Sequence, residues 1–213
     1  MNLTHLNEIE GLKFMPVKSS KLPIVKGWQH LDVKHNLSDC EAVGLVCGAL
    51  SGGLEVIDID CKYDLTGRLF ENYKRLINEA NGSLLKKLVV QKTKGNGYHI
   101  IYRCSKIEGN LKFANRQTTD EEKNNTYQKS YKEALKNSED DNQAKEIAEK
   151  ARKNDKVRVL LESRGEGGYI MCFPSEGYEI IYGDLYSISE LTPEERDTLH
   201  SIARQFNTVF DEV

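Results

Sequence analysis

Residues 51–60 read SGGLEVIDID: a glycine pair, an apolar run, then two aspartates separated by one isoleucine. A run this short and this apolar, bounded by glycine, predicts a buried strand with carboxylates at its end. Successive strand side chains point to opposite faces, so Ile57 and Ile59 share one face while Val56, Asp58 and Asp60 share the other. Burial of the isoleucines fixes which way the strand is turned. Two carboxylates on one face, at ~4 Å and an effective dielectric of about 20, repel by about 4 kcal/mol unless cations neutralise them. Hard oxygen ligands of this kind suit magnesium or manganese. A strand end that merely reaches solvent gives the same D-x-D pattern, and the pattern alone does not choose.

Around this strand the chain alternates short strands with a few helices. The run from Lys13 to Val17 is one short strand, AVGLVCG from Ala42 is a second, and a loop bearing Pro23 and Trp28 lies between them. After Asp60, LTGRLFENYKRLINEANG places Leu69, Phe70, Tyr73, Leu76 and Ile77 at helical spacing, with Asn81-Gly82 as the stop. KLVVQKT and GYHIIYRC then read as two strands joined at Lys94-Gly95-Asn96-Gly97, a hairpin whose Asn-Gly pair supplies positive φ values. Residues 105–156 are dominated by Lys, Glu, Asp, Asn and Gln. Their two narrow apolar stripes (Tyr127, Tyr131, Ala134, Leu135, then Ala144, Ile147, Ala148, Ala151) predict a solvated, mostly helical excursion. Most simply its charge run is a solvated face; a grip on a nucleic-acid strand is the sharper reading. KVRVLLESRGEGGYIMCFPS gives a strand, a glycine-rich turn and a second strand, and SEGYEIIYGD a further strand or hairpin. Thr192-Pro193-Glu194-Glu195 opens a last helix with a capping box, and Leu199, Ile202, Ala203 and Phe206 form its buried face. The sum is an α+β domain with a mainly antiparallel sheet.

Composition excludes several classes. A formal net charge of −3 argues against a protein that coats nucleic acid nonspecifically, though not against a local basic groove beside an acidic site. Cysteines stand at positions 40, 47, 61, 104 and 172, an odd number without a C-x-x-C pair. This predicts neither a disulfide framework nor a zinc site, and a cytoplasmic location. No apolar run reaches transmembrane length, and MNLTHLNEIEG lacks the pattern of a secretory signal, so no membrane partner is expected.

Two further motifs carry chemistry. In VLLESRGEGGY, alternation puts Glu162 and Arg164 on one face. Glu162 offers a third carboxylate, Arg164 a bidentate phosphate ligand, and the glycines a backbone able to come near a ligand. A surface Glu–Arg pair beside a bulged hairpin is the plainer reading. In GNGYHIIY, His99 opens a strand directly after a glycine-rich turn, with Lys92 and Lys94 near it in sequence. That suits a phosphate-binding corner, as it also suits a structural histidine.

Taken in order, a strand ending D-x-D, then G-x-H opening a strand, then an acidic residue followed by R-G-x-G-G-Y and Pro-Ser resembles the primase-polymerase domain of the archaeo-eukaryotic primase superfamily. Such domains form the N-terminal parts of many plasmid, phage and mobile-element replication proteins. KLPIVKGWQ resembles the family's N-terminal K-x-P…W segment, VGLVCGALSGGLEVIDID its approach to the first motif, and ESRGEGGYIMCFPSEGYEI its third motif with the segment after it. The resemblance covers most of the chain except residues 105–156, which are expected to be an insertion within a single catalytic domain spanning 1–213.

The resemblance implies an RRM-like antiparallel sheet beside a small N-terminal αβ unit. It implies a DNA primase/polymerase, with DNA template and primer and (d)NTPs as partners and a helicase domain or subunit beside it. Asp58, Asp60 and Glu162 match the catalytic, metal-binding acids of a two-ion magnesium or manganese site. His99 matches the histidine that contacts the nucleotide's phosphates. Arg164, Gly97 and Lys92 join it as nucleotide-binding candidates, with Lys94 and Lys26 weaker ones for phosphate or template. The family often has Asp where Glu162 stands, and a serine in the turn where this chain has Gly95, which leaves more of phosphate binding to backbone amides. Rival readings are a nuclease, a D-x-D nucleotide-sugar transferase, and a non-catalytic nucleotide- or nucleic-acid-binding module.

Overall fold

A computed structural model describes residues 3–30, 33–137 and 140–209. The smaller of its two sheets comprises β1 (Phe14–Val17), β2 (Ala42–Val46) and β8 (Tyr169–Met171), antiparallel in the order β1-β2-β8. The larger holds β3 (Leu54–Ile59), β4 (Val89–Lys92), β5 (Tyr98–Cys104), β6 (Lys112–Gln117), β7 (Val157–Arg164) and β9 (Glu179–Tyr182), in the order β6-β7-β3-β5-β4-β9. Neighbours along that order run antiparallel, and a two-residue β10 (Glu190–Leu191) adds to β5 in parallel. This is the α+β, mainly antiparallel architecture read from the sequence. In the small N-terminal unit the helical turns are 3-10 in type, at Thr4–Glu8 and Trp28–His30, and the third strand arrives from late in the chain.

The D-x-D strand β3 lies inside the larger sheet, between β7 and β5. Its alternation sorts the two cores. Ile57 and Ile59, with Ile100, Tyr102 and Leu161, pack beneath α1 (Leu69–Ala80) and α4 (Pro193–Arg204). Leu54 and Val56, with Val89 and Ile101, pack against Phe14, Val43, Leu45 and Ile170 of the smaller sheet. Three layers result: helices, large sheet, small sheet. Each fully buried Ile, Leu or Phe contributes about 1.5–3 kcal/mol, so the orientation of β3 is strongly fixed.

Local chemistry sets the ends of the elements. Asp64 opens α1 by accepting the N–H groups of Leu69 at 2.8 Å and Thr66 at 2.9 Å. The capping box forecast for α4 is present: Glu195 N–H donates to Thr192 Oγ1 at 3.2 Å, and Thr192 N–H to Glu195 Oε2 at 3.0 Å. The β4–β5 turn differs from expectation. Asn96 alone takes a positive φ, 58°, while Gly97 is a glycine because a Cβ there would lie 2.3 Å from the Ile59 carbonyl oxygen. The glycine lets the hairpin close onto the end of β3.

The polar stretch from 105 to 156 also differs in its first part. KFANRQ is β6, an edge strand paired to β7, with Phe113 and Ala114 buried. An edge strand with one wet side reads as polar, which hid it. The helical part is α2 (Asp120–Asn137) packed on α3 (Asp141–Asn154), through Ala134, Ala144 and Ala148. Its root is charged and neutralised. Arg116 makes two hydrogen bonds to Glu122, at 2.7 and 2.6 Å, and Arg158 pairs with Asp155. These bonds, Arg116 for Glu122 and Arg158 for Asp155, hold both carboxyls down to about 2.

Candidate active site

The register of the large sheet gathers the predicted site. Asp58 of β3 stands opposite His99 of β5 and opposite Glu162 of β7, and His99 stands opposite Gln91 of β4. Directly paired residues project to the same face, so these four side chains form one row across four strands. Arg164, paired with Val56, lies in the next row on the same face. This face otherwise packs on the small sheet. At the row the two sheets part, and a cleft of about 170 Å³ opens, lined by Asp58, His99, Arg164, Tyr169, Tyr178 and Lys21, among others.

Two side chains from the smaller unit complete the cleft. Lys21 sits in a turn at φ 69°, its carbonyl accepting the Tyr169 hydroxyl proton. Tyr178 places its ring 6.2 Å from that of His99. Neither was singled out from sequence, nor was Gln91. The legible signals were the Lys21-x-Pro23 run and a polar Gln91 inside an apolar strand.

The acids of this face are poorly compensated. Burial, then the neighbouring Asp60 carboxylate, pushes the Asp58 carboxyl up to about 6, against the opposing pull of Arg164, Lys21 and Lys62. Burial also raises Glu162, although Arg164 is ion-paired to it. Asp60 lies one residue beyond β3, turned toward Lys62 at 2.9 Å. His99 is driven the other way. Burial, then Lys21 and Arg164, lowers it to about 3, so the ring is neutral, with Nε2 3.7 Å from Asp58 Oδ1.

Among the described residues no three His, Cys, Asp or Glu side chains form a ready-made metal cage. The carboxylates nearest Asp58 have taken the cations within reach, Lys62 for Asp60 and Arg164 for Glu162. The donor set nevertheless fits a divalent ion. It consists of carboxylate oxygens, two of them held by burial in a state that resists ionisation, which is relieved by an added positive charge.

Other predicted residues fall elsewhere. Gly97 does not line the cleft, and its N–H donates to Thr93 Oγ1 at 3.0 Å. Lys92 follows Gln91 and therefore faces the helices. It pairs with Tyr98, whose ring stacks on Phe70 of α1 at 3.7 Å. Lys94 reaches Glu176 at 3.5 Å, and Lys26 is exposed on its loop.

The family model described as "Bifunctional DNA primase/polymerase, N-terminal" (Prim-Pol) matches residues 5–195, and the chain belongs to this family. A search of curated proteins found no match. Family membership implies a nucleotidyltransferase-type enzyme of the primase/polymerase kind, with DNA and nucleotides as substrates. Among the described residues no helix is long and apolar enough to cross a membrane.

Proposed function

We propose that this chain carries out template-directed nucleotidyl transfer onto DNA at the Asp58–Glu162–His99 row. The observation that carries the reading is the juxtaposition itself: under-compensated acids on one sheet face, with Lys21, Arg164 and a neutral histidine around the same cleft. Asp58, Asp60 and Glu162 would hold two magnesium or manganese ions. Such ions lower the barrier by stabilising the attacking and leaving oxygens of an in-line displacement.

The chain's own residues supply the rest. Arg164, now ion-paired to Glu162, would be free to bind a phosphate oxygen if that carboxylate held a cation. Lys21 closes on the triphosphate from the small-sheet side, and His99 offers it a neutral contact from the floor. Tyr178 and Tyr169 shield the far wall from water. We read residues 1–213 as one cytoplasmic catalytic domain with α2–α3 as its insertion. It would serve replication of a mobile element, phage or plasmid, beside a helicase domain or subunit.

Primer extension and de novo dinucleotide synthesis with magnesium or manganese test this. Activity in the wild type that disappears in the Asp58→Ala/Asp60→Ala double variant supports it. Equal activity in that variant removes the assigned site. Template degradation without added nucleotides would favour a nuclease, and tight nucleotide binding without extension on any template a non-catalytic module.

A further inference from the structure

Gln91 is fully buried, and its carboxamide is held by three partners. The backbone N–H of Phe173 donates to Oε1 at 2.7 Å. Nε2 donates to the Met171 carbonyl at 3.0 Å. Nε2 also lies 2.8 Å from His99 Nδ1. The first two partners are backbone groups whose roles cannot change, and they fix which end of the amide is oxygen. Turned over, the amide would set donor against donor at Phe173 and acceptor against acceptor at Met171. The second N–H of Gln91 must therefore point at His99 Nδ1.

We infer that Gln91 is a positioning residue that fixes His99 as the Nε2–H tautomer, so that the ring presents a hydrogen-bond donor to the cleft. An N–H facing Nδ1 demands a lone pair there, and the ring's single proton must sit on Nε2. Nε2 faces the cleft beside Asp58. A donor at that point recognises an anionic oxygen, such as a phosphate oxygen, and cannot ligate a metal ion. His99 is thereby kept out of the cation set, although it sits one strand from Asp58. Gln91 also joins β4 to the end of β8 at Met171 and to Phe173 just after it, so the same amide that sets the tautomer ties the two sheets together at the cleft. The tautomer stands independently of the proposed reaction; its use on phosphate rests on that reading.

Long-range proton–nitrogen correlation spectra of the histidine side chains read the tautomer directly. The wild-type protein is expected to show His99 protonated at Nε2, with the signal assigned by its loss in His99→Asn. In Gln91→Glu a carboxylate faces Nδ1, and the proton is expected to move to Nδ1 or the ring to charge. Binding of dATP with magnesium is then expected to weaken about tenfold, the scale of one hydrogen bond to a charged group. A wild-type His99 protonated at Nδ1 overturns the inference, even if Gln91→Glu fails to fold. So does a folded Gln91→Glu protein with both the tautomer and dATP affinity unchanged. A wild-type Nε2–H ring in a protein that binds no nucleotide supports the tautomer assignment and instead removes the function proposed for the cleft.

Discussion

Strand β3 carries two acids three residues apart, Glu55 and Asp58, and surrounds them in opposite ways. Glu55 faces the helices and has no exposure. Arg196 of α4 grips it at 2.6 and 2.8 Å, the Tyr102 hydroxyl donates at 2.8 Å, and His200 lies 3.4 Å away. Burial pushes this carboxyl up, but the bonds from His200, Arg196 and Tyr102 outweigh it and hold it below its ordinary value. Asp58 faces the cleft with a neutral histidine at 3.7 Å; the pull of Arg164, Lys21 and Lys62 does not offset burial and the Asp60 carboxylate, and its carboxyl is pushed up to about 6. The α2–α3 root repeats the Glu55 pattern with Arg116 and Arg158. Where this chain uses buried acids to hold elements together, it supplies the arginine. At the cleft Arg164 is ion-paired to Glu162 and leaves Asp58 without an arginine of its own, and the missing charge is what a substrate-borne cation would bring.

The largest effect that would sharpen this contrast is on the helix side. Arg196→Ala leaves Glu55 buried without its arginine, and is expected to destabilise the protein by about 3–5 kcal/mol in chemical denaturation. Any comparable loss from Asp58→Asn would break the comparison. Asp58→Asn is expected instead to raise the stability of the metal-free protein by roughly 1–3 kcal/mol, from ~1.4 kcal/mol per tenfold change in proton affinity. The same change should lower primer extension about a thousandfold, since a bound metal supplies several kcal/mol at ~1.4 kcal/mol per tenfold in rate.

The two kinds of acid also predict opposite pH slopes. A carboxyl raised to about 6 binds its proton more tightly folded than unfolded, so Asp58 makes the metal-free protein lose stability as pH rises from about 4 to about 6. Glu122 and Asp155, held at about 2, contribute stability that is complete above the ordinary carboxylate range and is lost as pH falls toward 2. Melting curves across pH should therefore show Asp58→Asn flattening the slope between about 4 and about 6 and leaving the acid limb unchanged. An unchanged upper slope in that variant would remove Asp58 as its source. The smallest contrast concerns two lysines. Lys21→Ala is expected to raise the nucleotide KM about tenfold, the scale of one charged contact. Lys92→Ala, on the helix face, should leave KM unchanged.

Much of this was legible in the sequence, for reasons that particular residues make plain. Alternation along LEVIDID and LLESR fixed the faces of Asp58, Glu162 and Arg164, because apolar burial leaves a strand no freedom of register. The same rule shows Lys92 on the wrong face once His99 is paired with Gln91 across the turn. Lys21, Tyr178 and Gln91 were less visible because their roles arise only when the small sheet packs on the large one. Glu55 was silent because its role arises only when α4 packs on the opposite face of the large sheet: its partner Arg196 lies 141 residues on. β6 was masked by its own polar side.

The central claim is that the cleft face of β3, unlike the helix face, is completed by a cation. Thermal melting of the wild type, Asp58→Asn and Glu55→Gln with and without manganese tests it directly. Manganese is expected to raise the melting temperature of the wild type and of the weakened Glu55→Gln protein by similar increments, and to leave Asp58→Asn unmoved. A manganese shift that persists in Asp58→Asn, or is absent from the wild type, would contradict the account.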